Sequence, residues 1–256
     1  MQEFFRQFIP PAWRWCLRQQ YLKLRGWWYA GQQVECPCCR GRFRKFLPMR
    51  RGDFPRQGAI CPACTAMERH RMLMLFIMRD TPLPRQPMRV LYLAPEPGIQ
   101  QQLSSWRHLD YVSADLSSPI AMEHFDIQHI PYSKASFDAI FCAHVLAHVL
   151  DDRRALAELY RVLRPGGTLY LLDWPDAQLP QTLEATPPLS ASARALRFGQ
   201  ADRWRRYGRD FVARIEAAGF VVREMAFAER LSHEERKRYG IRTDERIYLC
   251  QKENEL

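Results

Sequence analysis

The sequence predicts an α/β fold: a mostly parallel sheet with helices on both faces, preceded by a small cysteine-rich module. Three observations carry this. The stretch Ser136 to Asp173 reads as strand, helix, strand. A buried strand from Arg89 to Ala94 is followed by a turn, a helix and a second strand ending at Asp115. Two Cys-x-x-Cys pairs, Cys36/Cys39 and Cys61/Cys64, stand ahead of both.

In the first stretch, Phe137 to Ala143 is an apolar run of strand length, rich in aromatic and aliphatic residues. Asp151 and Asp152 open a helix, where carboxylates satisfy free N–H groups and face the positive end of the dipole. Leu156, Leu159, Tyr160 and Leu163 recur at helical spacing, so one face packs on a sheet. Arg164-Pro165-Gly166-Gly167 is expected to stop the helix, and Thr168 to Leu172 to form the next strand. Parallel strands joined by a helix require a right-handed crossover. In such sheets ligands sit beyond the carboxyl ends of the strands, which places His144 and Asp173 at the ligand edge.

The 256 residues suffice for one main domain and an appendage. No apolar run is long enough to span a membrane, and Arg6 and Pro10-Pro11 interrupt the apolar start, so a secretory leader is not expected. Residues 1–81 carry 15 Lys and Arg against five acids, and the remainder is balanced at 23 of each; the net charge of +10 resides in the first third. A basic surface of this kind calls for an acidic partner, whether nucleic acid, anionic lipid or a phosphorylated substrate. Clustered cysteines suit metal binding in a reducing cytoplasm better than a disulfide framework.

Residues 1–31 hold nine aromatics, five Lys or Arg and a single acid, Glu3. Phe4, Phe5 and Phe8 share a helical face, Pro10-Pro11 breaks it, and Trp13 to Leu24 continues as a second helix. Two readings stand: an interfacial helix that touches a membrane or nucleic acid, or aromatics that pack on the main domain. The cysteine pairs of the segment 32–80 match a structural zinc site: each pair sets two thiolates on a tight knuckle, and two knuckles complete a tetrahedron with no open position. Cys38 lacks the spacing and is read as a bystander. Thr65 to Arg79 is a helix on which His70 and Arg71 either reach toward a ligand or form an ion-pair seam. Residues 81–88, with three prolines, form the linker.

From residue 89 to 256 the α/β domain follows. About twenty residues separate its first turn from Asp115, the spacing at which a carboxylate accepts both hydroxyls of a ribose. Asp126 follows a short third strand, with a carboxylate suited to an exocyclic adenine amine and Ile127 beside the ring. Residues 174–207 are a lid-like insertion ending in a dense run of cations. Asp210 to Ala218 is a helix, and Phe220 to Phe227 and Arg246 to Cys250 are the closing strands.

The words SFDAIFCAHVLAHVLDD and YRVLRPGG resemble the class I S-adenosylmethionine (SAM)-dependent methyltransferases, of the type 11-like domain, over about residues 89–251. CPCC, FRKFLP, CPAC, ERHR, APE, ADL, FGQADR, RYG and IYLC further resemble a bacterial group in which this domain follows a cysteine module. The resemblance implies a Rossmann-like seven-stranded sheet, its last strand antiparallel, with SAM across the carboxyl ends of the first four strands. It implies Ala94, Pro95, Glu96 and Gly98 beside the methionine part of SAM, Asp115 at the ribose, Asp126 and Ile127 at the adenine, Leu116 as a further cofactor contact, and His144 at the methyl-transfer site. Of the family's glycine-rich first turn only Gly98 remains.

The implied reaction is in-line displacement at the SAM methyl by an oxygen or nitrogen nucleophile, with positioning and desolvation carrying much of the rate. His144 is the candidate base, because histidine titrates near neutrality; the plain alternative is that it packs or holds cofactor. Tyr207 and Arg205 are candidates to orient an acidic acceptor from the lid, and His148 is assigned a structural role. The acceptor expected is a small molecule or glycan. Two other functions remain open: a zinc-containing nucleic-acid-binding protein or RNA methyltransferase, favoured by the basic first third, and a non-catalytic relative, favoured by the altered first turn. The methyl acceptor and oligomeric state are not encoded in any motif.

Overall fold

The computed structural model describes residues 11–49, 56–185 and 189–254. The aromatic face at Phe4, Phe5 and Phe8 lies outside them. The chain divides into two compact units: residues 1–79, 96–102 and 231–242 form the first, and 80–95, 103–230 and 243–256 the second. The expected segments 1–31 and 32–80 thus share the first unit almost entirely, the expected linker 81–88 lies in the second, and 96–102 and 231–242 of the expected α/β domain, 89–256, group with the first.

The first unit begins with helix α1 (Pro11–Trp28), longer than the expected Trp13 to Leu24. Strands β1 (Ala30–Glu35) and β2 (Arg42–Phe43) make one hairpin and β3 (Leu47–Met49) and β4 (Arg56–Ile60) another. Helix α2 (Glu68–Asp80) follows. Its Arg71 is fully buried, and all of its donors are used: Nε donates to the Tyr239 carbonyl, Nη1 to Ala59 and Ala66, and Nη2 to Gly58 and Gly240. The guanidinium also stacks 3.8 Å from the Phe46 ring centroid. A planar fork with five donors suits convergent backbone carbonyls in a way that lysine does not. Arg71 is thus the hub of this unit rather than a ligand contact.

The second unit is built on a seven-stranded sheet in the order β12-β13-β9-β8-β5-β6-β7. Its strands are β5 (Met88–Leu93), β6 (Leu109–Asp115), β7 (Glu123–His124), β8 (Phe137–Ala143), β9 (Leu163–Leu172), β12 (Val221–Met225) and β13 (Ile247–Gln251). Strands β5 to β9 pair in parallel, and only β13 runs against its neighbours. The helix α3 (Pro97–Leu103) follows β5, α4 (Asp152–Val162) follows β8, and α6 (Phe211–Glu216) precedes β12. Asp151 caps α4 by accepting from the Arg154 N–H. Leu156 and Leu159 of α4 are buried in one core cluster with Leu91, Ile140, Leu169 and Leu171, so that helical face packs as expected. Strand β9 starts at Leu163 and takes the Pro-Gly-Gly sequence into itself, with Gly166 at φ 75° donating to the Lys252 carbonyl and a register shift opposite β8. The expected turn is a strand irregularity.

The 174–207 insertion contributes β10 (Leu183–Glu184), α5 (Ala191–Phe198) and β11 (Arg205–Arg206), β10 pairing with β11.

Candidate functional site

Two left-handed residues mark the carboxyl edge of the sheet. Ala94, just past β5, has φ 51°, and His144, just past β8, has φ 55°. Non-glycine residues in this conformation cost on the order of 1 kcal/mol or more and persist only where the surroundings hold them. Here the Ala94 N–H donates to the Ala114 carbonyl and the His144 N–H to Leu172, tying each turn to the next strand. Ala94 stands where a glycine-rich turn places glycine, and adopts the glycine conformation without one.

Between these turns lies a cavity of about 360 Å³, within the range of about 300–1,000 Å³ usual for small-molecule sites. Ala94, Asp115, Leu116, Asp126, Ile127 and His144, all predicted cofactor contacts, line it, together with Phe125, His148 and Asp202. Asp115 Oδ1 accepts from the Ser117 and Ser118 N–H groups at 2.8 and 2.7 Å, which fixes the carboxylate and leaves Oδ2 for a ligand. Asp126 accepts from the Gln128 backbone and side-chain amides; a carboxylate with about four acceptor positions retains capacity for an amine. His148 Nδ1 lies 3.2 Å from Asp202 at the cavity wall.

Pro95, Glu96 and Gly98 do not line this cavity. Pro95 is buried. Glu96 and Gly98 belong to the first unit, where Glu96 Oε1 lies 3.2 Å from His70 Nε2. A Cβ on Gly98 would approach Cys38 Cβ to 3.0 Å and Cys64 Sγ to 3.2 Å. The one glycine left in the turn therefore answers to the cysteine knuckles. Seen from the sequence it looked like a cofactor glycine, because nothing local reports a neighbour 34 residues upstream.

His144 carries the chemistry of the edge. Its Nε2 is 2.8 Å from Glu245 Oε1, and Glu245 Oε2 accepts from Trp174 Nε1 at 2.6 Å. The Trp174 ring lies 4.6 Å from the imidazole, centroid to centroid. A carboxylate only accepts, so Nε2 donates to Glu245; Nδ1 is buried and has no hydrogen-bond partner among the described residues. Glu245 carries no signal in the sequence: it lies 101 residues from His144.

Asp173, at the end of β9, is buried, with Oδ1 accepting from the Trp174 N–H and Oδ2 unpartnered. Burial pushes its carboxyl above the usual range. The folded state thus holds this proton more tightly than the unfolded chain, and stability is lost as pH rises from the unfolded value through the folded one. Asp173→Asn keeps the Oδ1 acceptor and removes the buried charge. It is expected to raise stability at pH 7 by about 1–2 kcal/mol, a few degrees in Tm. The gain should fade as pH drops toward 4, which thermal melts across that range would check. Asp173 and Trp174 line a second cavity of about 410 Å³, together with Arg209, Glu224, Asp244 and Arg246.

Tyr207 is not at either cavity. Its ring is buried and its hydroxyl donates to Asp152 Oδ2 at 2.9 Å, while burial and the Asp152 charge push the phenol well up. Arg214 reaches Asp152 at 2.8 Å, and Arg205 donates to the Leu146, Val149 and Leu150 carbonyls. Of the pair expected to orient an acceptor, Arg205 instead braces the turn that follows His144 and Tyr207 bonds the first residue of α4. A buried tyrosine beside a helix-opening acid is indistinguishable, in sequence, from a lid tyrosine.

In the first unit, Cys36, Cys39, Cys61 and Cys64 bring their sulfurs within 4.8 Å of one another. Cys36 and Cys64 Sγ are 3.6 Å apart and Cys39 and Cys61 Sγ 3.7 Å. Zinc–sulfur bonds of about 2.3 Å in a tetrahedron set sulfurs about 3.8 Å apart, so the donor set fits that metal. The two knuckles repeat one geometry. The Cys36 N–H donates to Gly41 O and the Cys61 N–H to Ala66 O, both at 2.9 Å, and the residues after each pair, Arg40 and Thr65, are left-handed. Sulfur–sulfur contacts and burial push Cys39 and Cys64 up, while the contacts with its three neighbours hold Cys61 down. Cys38 turns aside to donate to the His70 carbonyl.

Residues 98–171 match the family model described as a methyltransferase domain. A demethylmenaquinone methyltransferase of Deinococcus radiodurans is 46% identical over 56 residues, 22% of this chain and 23% of that protein. A 27-O-demethylrifamycin SV methyltransferase of Amycolatopsis mediterranei is 38% identical over 72 residues, 28% of this chain and 26% of that protein. The chain spans about a quarter of the length of these relatives. A Burkholderia thailandensis 1,6-didemethyltoxoflavin-N1-methyltransferase structure superposes with a TM-score of 0.46 at 13% identity, covering 72% of this chain and 76% of that one. The match over residues 98–171 sets a methyltransferase-domain sequence on the central strands of the seven-stranded sheet. Among the described residues no helix is long and apolar enough to cross a membrane.

Proposed function

We propose that the class I SAM-dependent methyltransferase domain of this chain binds SAM in the 360 Å³ cavity and methylates an oxygen or nitrogen of a small polar acceptor. The observation that carries this is the convergence of Ala94, Asp115, Leu116, Asp126, Ile127 and His144, drawn from four strand ends, on one cavity. Asp115 Oδ2 would hold the ribose, Asp126 the adenine amine, and the exposed Leu116 with Ile127 would flank the ring. Bound there, SAM supplies an electrophilic methyl on a sulfonium, an intrinsically good leaving group. His144 Nδ1 accepts the acceptor's proton, Glu245 orients the imidazole and stabilises it once charged, and Trp174 fixes Glu245. The acceptor approaches through the cavity bordered by Asp173 and Trp174, whose mixed Arg, Asp and Glu lining favours a polar molecule. The cysteine cluster holds zinc as a closed, structural centre, since no coordination position is left for substrate.

Titration calorimetry of the zinc-loaded protein with SAM tests this reading. Micromolar binding is expected, weakened in Asp115→Ala by about ten- to a hundredfold, the loss of one or two charge-assisted hydrogen bonds. No binding by the folded wild type would overturn it.

A further inference from the structure

Helix α1 is docked by one face and bare on the other. On the docked side Leu22 is buried, Gly26 lies so close to Ala63 that a Cβ would come within 2.9 Å of its side chain, and Arg25 Nε donates to the Pro62 carbonyl at 2.7 Å. Arg25 and Gly26 thus fasten the helix to the second cysteine knuckle. At 3.6 residues per turn, Trp13, Leu17, Tyr21, Leu24 and Trp28 fall within an arc of about 80° on the opposite side. These five, and Trp27 beside them, are 54–76% exposed. A surface helix ordinarily turns such a stripe inward. Here the inward face is the narrow one and the large apolar side chains point to solvent, a patch that soluble surfaces rarely leave uncovered.

The charges around the stripe identify what covers it. Arg18 and Lys23, both exposed, flank it on either side, and the sequence has no acid between Glu3 and Glu35. Two copies meeting through this face would bring like-charged rims together with no carboxylate on the helix to pair them. Tryptophan and tyrosine amid leucine, rimmed by cations, match the boundary between anionic headgroups and acyl chains. We propose that α1 is an interfacial helix that seats the protein on an anionic lipid surface, the stripe entering the headgroup boundary and Arg18 and Lys23 meeting lipid phosphates.

The test is sedimentation of the full-length, zinc-loaded chain with vesicles of phosphatidylcholine alone or with about one-third phosphatidylglycerol. Binding is expected to the anionic vesicles, at least about tenfold weaker to the neutral ones, and to fall as salt rises. Leu17→Glu/Leu24→Glu alters only exposed positions; its melting temperature should match the wild type while vesicle binding drops at least tenfold. Arg18→Gln/Lys23→Gln should lose the preference for anionic lipid. Failure of the folded wild type to bind anionic vesicles would overturn the proposal. So would a dimer or an RNA complex that the Leu17→Glu/Leu24→Glu variant abolishes while vesicle binding persists.

Discussion

Cys61→Ser is expected to unfold the first unit and to weaken SAM binding although Cys61 lies outside the cofactor cavity. Four thiol ligands in a closed tetrahedron contribute folding energy directly, on the order of 10 kcal/mol at neutral pH, as much as the entire stability of a typical domain. The losses should follow the hub around Arg71, whose carbonyl partners at Gly58, Ala59 and Ala66 flank the Cys61 knuckle and whose partners at Tyr239 and Gly240 end the helix α7 (His233–Tyr239). Hydrogen exchange should rise across residues 11–79 and 231–242 while the central strands β5, β8 and β9 stay protected. The effect on SAM travels along the chain: Ala94 lines the cavity, and two residues later Glu96 is held beside His70. Releasing that end of the turn should raise the SAM dissociation constant about tenfold, or 1.4 kcal/mol. A Cys61→Ser protein that melts like the wild type would show that the four thiols hold no structural metal.

His144→Asn should produce the largest loss in turnover. Removing a positioned general base costs about 10²–10⁴-fold in kcat, whereas the SAM dissociation constant should move only a few-fold because Asp115, Leu116, Asp126 and Ile127 are untouched. Glu245→Gln separates base from brace. The amide keeps the size and still presents an acceptor oxygen, but it no longer stabilises a charged imidazole, so kcat should fall by an intermediate factor. These values are measured as S-adenosylhomocysteine release with any acceptor the wild type methylates. Equal kcat in His144→Asn and the wild type would remove the base from the mechanism.

What the sequence disclosed, and what it hid, divides along contact range. The strand–helix–strand from Ser136 to Asp173 was legible because each part is signalled locally: an apolar run, an acid cap at Asp151, leucines at helical spacing. The knuckles were legible because a metal tetrahedron imposes a spacing on its ligands. Asp115 and Asp126 were legible as acids just past strand ends. The hidden features depend on residues far apart in the chain. Glu245 orients His144 from 101 residues away, and Arg71 bonds Tyr239 and Gly240 from 168 and 169. The helix α7, unforeseen, joins the first unit through those bonds, which is why the two units interleave in sequence. Gly98 was misread for the same reason: a glycine reports that something comes close, and only the fold reports that it is Cys38 and Cys64.

The most direct test of the central claim is a crystal structure of the protein with S-adenosylhomocysteine. The account predicts the ribose on Asp115, the adenine between Leu116 and Ile127 near Asp126, and the sulfur facing the His144 side of the cavity. Clear density for the ligand elsewhere, or an empty cavity at saturating ligand, would contradict it.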